Sequence, residues 1–222
     1  MNVLRRKGRK TIAIIGCGAQ SRYILDTLSA LQIKCRIFLI DPLGKGPKEV
    51  HGIPVSRISP VKNIRKFLRK KNIKIVFTAI SANAEKARIL EYLRKDFCFP
   101  PLIHPQTVIS SSAKLEDACV INPFVYIGPN ALIKRGTFIH SFVNIDHDCE
   151  IGECANLAPG VILAGRVKIG KCAYIYTSAS IIPDIRVGDF SIIGAGSNVL
   201  RNVSPGRTVV GNPAIPLKNA KQ

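Results

Sequence analysis

Residues 145–174 read IDHDCE IGECAN LAPGVI LAGRVK IGKCAY, and their six-residue phase decides the fold. Carried in both directions, the first slot of the hexad holds Ile, Leu or Val sixteen times without exception, from Ile109 to Val199. The slot four residues later is uncharged and mostly small: Ala113, Cys119, Val125, Ala131, and onward to Ser191 and Ser197. A period of six suits neither a helix nor a strand pair. It suits a triangular coil with one hexapeptide per flat face, the aliphatic residue filling the prism and the small one fitting beneath the turn. At three hexads per coil, sixteen make about five coils of a left-handed parallel β-helix. Glycines gather just after the aliphatic slot, at Gly128, Gly152, Gly170, Gly188 and Gly194, and are expected to serve there by accepting backbone angles that other residues resist.

Outside the repeat the pattern changes. Thr11–Ile15 reads as a buried strand, followed by the turn Gly16-Cys17-Gly18-Ala19 and by apolar residues at helical spacing from Tyr23 to Leu31. Residues 35–40 form a second strand ending at Asp41. Residues 59–71 form a basic amphipathic helix, 73–80 a third strand and Ala84–Leu93 a further helix. Alternating strands and helices predict a small parallel sheet of Rossmann type, with room for about three or four strands. The expected organisation is an α/β Rossmann-like nucleotide-sugar domain over residues 1–104, then the left-handed β-helix with a C-terminal tail over 105–222. The glycine turn is suited to a phosphate at a helix N-terminus, and Asp41 stands where an acid would grip a ribose hydroxyl.

The net charge of +19 is uneven. Residues 1–105 carry 22 Lys and Arg against 6 Asp and Glu, and residues 106–222 carry 11 against 8. The basic residues lack the interleaved aromatics of single-strand binders, which argues against a non-catalytic nucleic-acid scaffold. A solvated face is the default reading of Arg5, Arg6, Lys7, Arg9, Lys10 and of the lysines and arginines of 62–71, and weak contact with an anionic membrane is the lesser one. Seven cysteines at irregular spacing, with no C-x-x-C pair, argue against a disulfide framework or zinc ribbon. With no apolar run near the length of a membrane span and no signal-peptide pattern, a cytoplasmic protein is expected.

The chain resembles the sialic acid O-acetyltransferase NeuD-like family, which includes UDP-4-amino-sugar N-acetyltransferases. The resemblance is carried by the Gly16-Cys17-Gly18 turn, Ile37–Asp41, Ile80-Ser81-Ala82-Asn83 and Leu102–Pro105. It continues through Asp146-His147-Asp148-Cys149-Glu150-Ile151-Gly152, Leu163–Gly170 and Val210-Gly211-Asn212-Pro213-Ala214. It implies an acetyltransferase using acetyl-CoA, with no metal, acting on a nucleotide-activated sugar as a homotrimer. The expected reaction is N-acetylation of a UDP-4-amino-4,6-dideoxy sugar, with O-acetylation of a sugar hydroxyl such as that of sialic acid as the alternative. It implies His147 as general base oriented by Asp148, acetyl-CoA held at Asn156, Gly165 and Ala195, and the acceptor at Gly16, Gly18, Gln20, Asp41 and Asn83. Arg201, Arg207 and Lys218 are candidates to meet CoA phosphates. Two positions depart from the family pattern: Gln20 and Asn156 each stand where a histidine is common.

A histidine beside carboxylates is also what the chemistry asks for. Acetyl transfer from a thioester needs a base for the incoming nucleophile, and a carboxylate on the far ring nitrogen stabilises the imidazolium that forms. Of the four histidines, His147 is the one set between two acids; His140 lies one hexad earlier, His104 at the expected domain junction, and His51 in a loop. A zinc-dependent hexapeptide enzyme would need three histidines at one site, and His140, His147 and Asn156 do not supply them.

Overall fold

The computed structural model describes residues 10–217, and the chain divides into two compact units between Leu102 and Ile103.

The first unit is built on a five-stranded sheet. The strands are β1 (Lys10–Ile15), β2 (Cys35–Asp41), β3 (Glu49–Val50), β4 (Ile53–Arg57) and β5 (Ile75–Thr78), in the order β3-β4-β2-β1-β5. β1 is central and pairs in parallel with β2 and β5; β4 adds in parallel to β2, and β3 closes the edge as an antiparallel hairpin. The helices are α1 (Ala19–Ala30), α2 (Val61–Lys70) and α3 (Asn83–Leu93). Ile12, Ile14 and Ile15 of β1 are fully buried with Leu39, Ile40 and Val76, as continuous apolar strands in a parallel sheet must be. The β3–β4 pair exceeds the expected strand count. Its short strands are broken by Gly52 and Pro54 and carry no periodic signal.

The second unit is the β-helix. From β6 (Leu102–Ile103) to β22 (Asn198–Val199) the strands are two residues long, one per hexad, and the aliphatic slot is the second residue of each. They stack in parallel into three sheets. The first face holds β7 (Val108–Ile109), β10 (Tyr126–Ile127), β13 (Asn144–Ile145), β16 (Ile162–Leu163), β19 (Ser180–Ile181) and β22. The second holds β8 (Lys114–Leu115), β11 (Leu132–Ile133), β14 (Glu150–Ile151), β17 (Lys168–Ile169) and β20 (Arg186–Val187). The third holds β6, β9 (Val120–Ile121), β12 (Phe138–Ile139), β15 (Asn156–Leu157), β18 (Tyr174–Ile175) and β21 (Ile192–Ile193), and is extended by β23 (Thr208–Val210) and β24 (Ile215–Pro216). Residues 18 apart stack exactly in register, as in Ile127↔Ile145 and Ile145↔Leu163. The aliphatic slot from Ile121 to Val199 and the small slot from Cys119 to Ser197 are both buried, so one apolar column runs the length of the prism.

The turns correct one expectation. Left-handed backbone falls not on the glycines after the aliphatic slot but three residues after it, without a break from Ala118 to Gly196, on residues as different as Phe124, Asp148, Arg166 and Gly196. The glycines after the aliphatic slot are required by close approach instead. A Cβ at Gly152 would stand 2.5 Å from the Gly170 carbonyl carbon, and one at Gly170 would stand 2.4 Å from the Asp189 nitrogen. Neighbouring coils pass too close there for any side chain.

Candidate active site

Each turn of the coil presents three residues outward between two inward ones, and Asp146-His147-Asp148 is the turn from the first face to the second. Its backbone is tied to the coils on both sides: Asp146 N–H donates to the Leu163 carbonyl at 3.0 Å, and Asp148 N–H to the Pro129 carbonyl at 2.8 Å. Asp146 shapes the turn itself, its Oδ1 accepting the His147 N–H at 2.7 Å. Asp148 occupies the left-handed slot, with φ of 58°, which swings its carboxylate beside the imidazole. Its Oδ2 lies 2.7 Å from His147 Nδ1. A carboxylate only accepts, so Nδ1 carries the proton and Nε2 keeps its lone pair for chemistry.

Asp148 is fixed from its other side by Asn130, which stacks one coil earlier in the same slot and donates from Nδ2 to Oδ1 at 3.1 Å. The His147 and Asn130 hydrogen bonds hold the Asp148 carboxyl below the usual carboxylate range. One coil later the same slot holds Arg166, whose Nε and Nη2 donate to the two carboxylate oxygens of Asp184 at 2.6 and 2.8 Å. Asn130, Asp148, Arg166 and Asp184 thus form one polar column beside the histidine.

Gly165 lies one coil above His147, and its glycine identity is set by the ring. A Cβ there would stand 2.5 Å from Nε2 and 2.6 Å from Cε1. The Gly165 N–H donates to no group among the described residues, so a backbone donor is free beside the basic nitrogen. A base with a backbone donor on the adjacent coil is the pair a thioester carbonyl needs: one accepts the nucleophile's proton and the other takes charge developing on the oxygen. Cys149, next along the chain, points inward and donates from Sγ to the Ala164 carbonyl; burial pushes its thiol up to about 11. It is structural.

The other expected acyl-site residues are not at this turn. Asn156 sits on β15 of the third face, opposite the His147 turn, fully buried and with no hydrogen-bond partner for either amide atom among the described residues. Ala195 lies on the turn from the third face to the first, after β21. Within one chain, Gly165 alone of the three comes to His147. His140 is buried on the turn that leaves the third face after β12, packed on Phe138 with ring centroids 4.8 Å apart. Arg201 falls on the His147–Gly165 turn column, three coils above the histidine, and Arg207 lines a cavity of about 690 Å³ with it at the end of the helix. Lys218 lies outside the described residues, as do Arg5, Arg6, Lys7 and Arg9. Among the described residues no group of three or more His, Cys, Asp or Glu could hold a metal ion.

In the first unit the expected acceptor residues gather where the parallel strands end. Gly16, with φ of 104°, closes β1 against β5: a Cβ would stand 2.2 Å from the Ala79 carbonyl oxygen. Gly18 is the N-cap of α1, and a Cβ there would meet nothing within 4 Å, which leaves open space at the helix N-terminus. Gln20 is buried on the first turn of α1, its Oε1 without a hydrogen-bond partner among the described residues, and Asn83 opens α3. Asp41 is engaged by its own loop as well as standing at the strand end. Its Oδ1 accepts the Leu43 N–H at 2.9 Å and its Oδ2 the Gly46 N–H at 2.7 Å. It is 4% exposed, so it latches its own loop. Burial works against its charge, but the backbone donors outweigh it and hold the carboxyl below the usual range. The latched loop covers Cys17, whose thiol is pushed up by burial and by the Asp41 charge.

A hexapeptide β-helix with a His–Asp pair set over a glycine defines an acyltransferase of the left-handed β-helix class. Comparison narrows it. Residues 11–93 match the model of the PglD N-terminal domain. Over 222 aligned residues the chain is 31% identical to the GDP-perosamine N-acetyltransferase of Escherichia coli O157:H7, covering 93% of this chain and 96% of that one. A histidine-to-alanine variant of the GDP-perosamine N-acetyltransferase of Caulobacter crescentus, solved with CoA and GDP-perosamine, is 26% identical. It superposes with a TM-score of 0.85, covering 96% of this chain and 99% of that one. The acetyltransferase domain of PglB from Neisseria gonorrhoeae, solved with acetyl-CoA, is 27% identical with a TM-score of 0.84, over 95% of this chain and all of that one. The chain belongs to the NeuD/PglD-like family of sugar acetyltransferases.

Proposed function

We propose that the protein transfers the acetyl group of acetyl-CoA to the amine of a nucleoside-diphosphate amino sugar, with His147 as general base. The observation that carries this is the His147–Asp148 pair with its free Nε2 beside the unpaired Gly165 N–H. The amine attacks the thioester carbonyl and gives its proton to Nε2. The Gly165 N–H holds the oxygen of the tetrahedral intermediate, and Asp148 stabilises the imidazolium. When the intermediate collapses the C–S bond breaks, and the CoA sulfur leaves with the proton that His147 returns. Gly16, Gly18, Gln20 and Asn83 are assigned to the nucleotide sugar, at the strand ends where open parallel sheets bind ligands. Arg201 is assigned to a CoA phosphate, since it continues the turn column along which the pantetheine arm would lie.

The working form is read as a homotrimer, in the cytoplasm. The outward column of the first face exposes Val108, Tyr126 and Ile162, at 62, 41 and 52%, and the turn before it carries the exposed stacked pair Phe124–Phe142. Apolar surface on that scale marks an interface. Packing copies through it would bring Ala195 of one chain towards His147 of another, which no single chain can do.

The test is a CoA-release assay with acetyl-CoA and a panel of GDP- and UDP-linked amino sugars, each paired with its hydroxyl analogue. Turnover with amine acceptors alone, abolished in a folded His147→Ala, is expected. Turnover with hydroxyl acceptors alone, or a fully active His147→Ala, would overturn the reading. A solution mass other than three chains would overturn the trimer.

A further inference from the structure

In a parallel sheet all strands start at one edge and end at the other. The glycine turn, the Asp41 loop and Asn83 follow strand ends. The surplus positive charge of the first unit concentrates on the opposite edge. Lys34 and Arg36 flank the start of β2, Lys70, Lys71 and Lys74 fill the passage from α2 to β5, and Lys95 follows α3. The strand register draws them together. Thr11 of β1 pairs with Arg36, and Ile12 pairs with Ile75, so Arg36 and Lys74 stand about two strand spacings apart, roughly 10 Å. The Cys98 N–H donates to the Lys74 carbonyl at 2.8 Å, bringing the chain after Lys95 to the same edge. Arg36 and Lys71 share one aromatic ring, lying 5.0 and 6.0 Å from the centroid of Phe38.

All six cations are exposed, and none has a carboxylate within ion-pair distance among the described residues. The edge's acid, Asp96, is engaged by Arg65 at 3.0 Å and Arg69 at 2.9 Å. Cations spaced at about a Debye length repel one another, so the arrangement disfavours the compact state unless an anionic partner is met. Lying away from the strand ends, this charge is not explained by a nucleotide bound there.

We infer that this strand-start edge is an electrostatic docking surface for an anionic lipid bilayer, holding the nucleotide-binding edge towards water. Five of the six cations are lysines, point charges suited to a diffuse layer of headgroups rather than to forked recognition of one phosphate. Phe38 is taken up by Arg36, Lys71 and Phe67, the last at 5.8 Å, and the exposed ring of Tyr92 is covered by Arg65 at 3.9 Å, so neither offers a bare platform for stacking bases. Among the described residues the exposed large side chain nearest in sequence to these cations is Tyr92, whose ring Arg65 covers, so the contact is adsorption, reversible and salt-sensitive, without insertion.

The experiment is sedimentation of the full chain with vesicles of phosphatidylcholine and with vesicles rich in phosphatidylglycerol. Binding to the anionic vesicles alone is expected, lost as salt shortens the Debye length from about 10 Å to about 3 Å. Each neutralised cation should weaken partitioning about fivefold, so Lys70→Gln/Lys74→Gln/Lys95→Gln should lose on the order of a hundredfold with unchanged thermal melting. Equal binding to both vesicles, no binding to the anionic ones, or undiminished binding by the folded triple variant overturns the inference. So does displacement from vesicles by a DNA duplex at matched phosphate, which would reassign the edge to nucleic acid.

Discussion

Gly165→Ala adds one carbon against the His147 ring and changes nothing else that the mechanism uses. The Gly165 φ is not in the left-handed region, so alanine meets no backbone strain, and the N–H proposed to hold the oxyanion remains. The new carbon would stand 2.5 Å from Nε2, 2.6 Å from Cε1 and 3.2 Å from Cδ2. Ordinary carbon contacts lie near 3.5 Å, so the ring must yield by about 1 Å. The His147 side chain is 43% exposed, so it can swing outward into solvent. Stability should therefore change by no more than about 0.5 kcal/mol, as for other surface substitutions. The rate should not be spared. A misplacement of about 1 Å at the reacting group costs on the order of a hundredfold, and it should fall on kcat with little change in the KM for acetyl-CoA. A double variant provides the internal control: once the ring is displaced, His147→Ala should cost little more in the Gly165→Ala background, because the two changes act on one group. Wild-type kcat in Gly165→Ala, or losses that multiply independently in the double variant, would refute the placement of the catalytic nitrogen over Gly165.

Asn130→Ala removes the second anchor of the Asp148 carboxylate and should lower kcat on the order of tenfold while leaving oligomeric mass and melting unchanged; an unaltered kcat would show that His147 alone orients Asp148. Ile151→Ala empties a fully buried slot of the prism and should cost about 2–5 kcal/mol, read from the shift of the denaturation midpoint. With its thiol near 11, Cys149 should be about one part in a thousand thiolate at pH 8 and resist alkylation in the folded protein, while exposed Cys98 reacts; mass mapping of the modified cysteines distinguishes them. Asp41, Asp148, Glu150 and Asp184 all have carboxyls held low in the folded chain, so the unfolded chain takes up protons first as pH falls. Their stabilisation should be fully present above about pH 5 and be lost progressively below about pH 4, and a melting temperature flat from pH 7 to pH 3 would contradict the pairings.

The β-helix was readable because its inward slots are chemically constrained. Ile145 and Cys149 must be apolar or small, and that demand repeats every six residues. The left-handed slot repeats with the same period but has no compositional signature: Phe142, Asp148, Cys154 and Arg166 share only a backbone angle, which the stacked coils impose and outward side chains tolerate. Its consequence was therefore hidden, although it is what turns Asp148 onto the imidazole and lines up Asn130 and Arg166 with it. The glycines are visible in the sequence, but the reason for them is not. Gly152 looks like a residue chosen for flexibility, yet it is fixed by a neighbouring coil 18 positions away, a separation at which local patterns are silent. Asp41 shows a second kind of local blindness. Its distance from the glycine turn suits a ribose ligand, but two backbone N–H groups only a few residues ahead reach the carboxylate first.

A triangular coil also limits what one chain can do. Residues meet along a turn column when they are 18 apart, as His147 and Gly165 are, and residues on different faces look in directions roughly a third of a circle apart. An acetyl group held at Nε2 of His147 can therefore be reached from the same chain only by that column and by the strands flanking it, β13 and β14 with their stacked neighbours. Ala195 belongs to another turn and Asn156 to the opposite face, so any part they play in acyl transfer requires another copy. A mixed-subunit experiment follows directly. Chains carrying His147→Ala and chains carrying a bulky Ala195→Phe should each be inactive alone. If neighbouring copies share the site, mixing them should restore activity, at site pairings where an intact His147 meets an intact Ala195. Failure to complement in demonstrably mixed oligomers would place the whole reaction within a single chain and remove Ala195 from it.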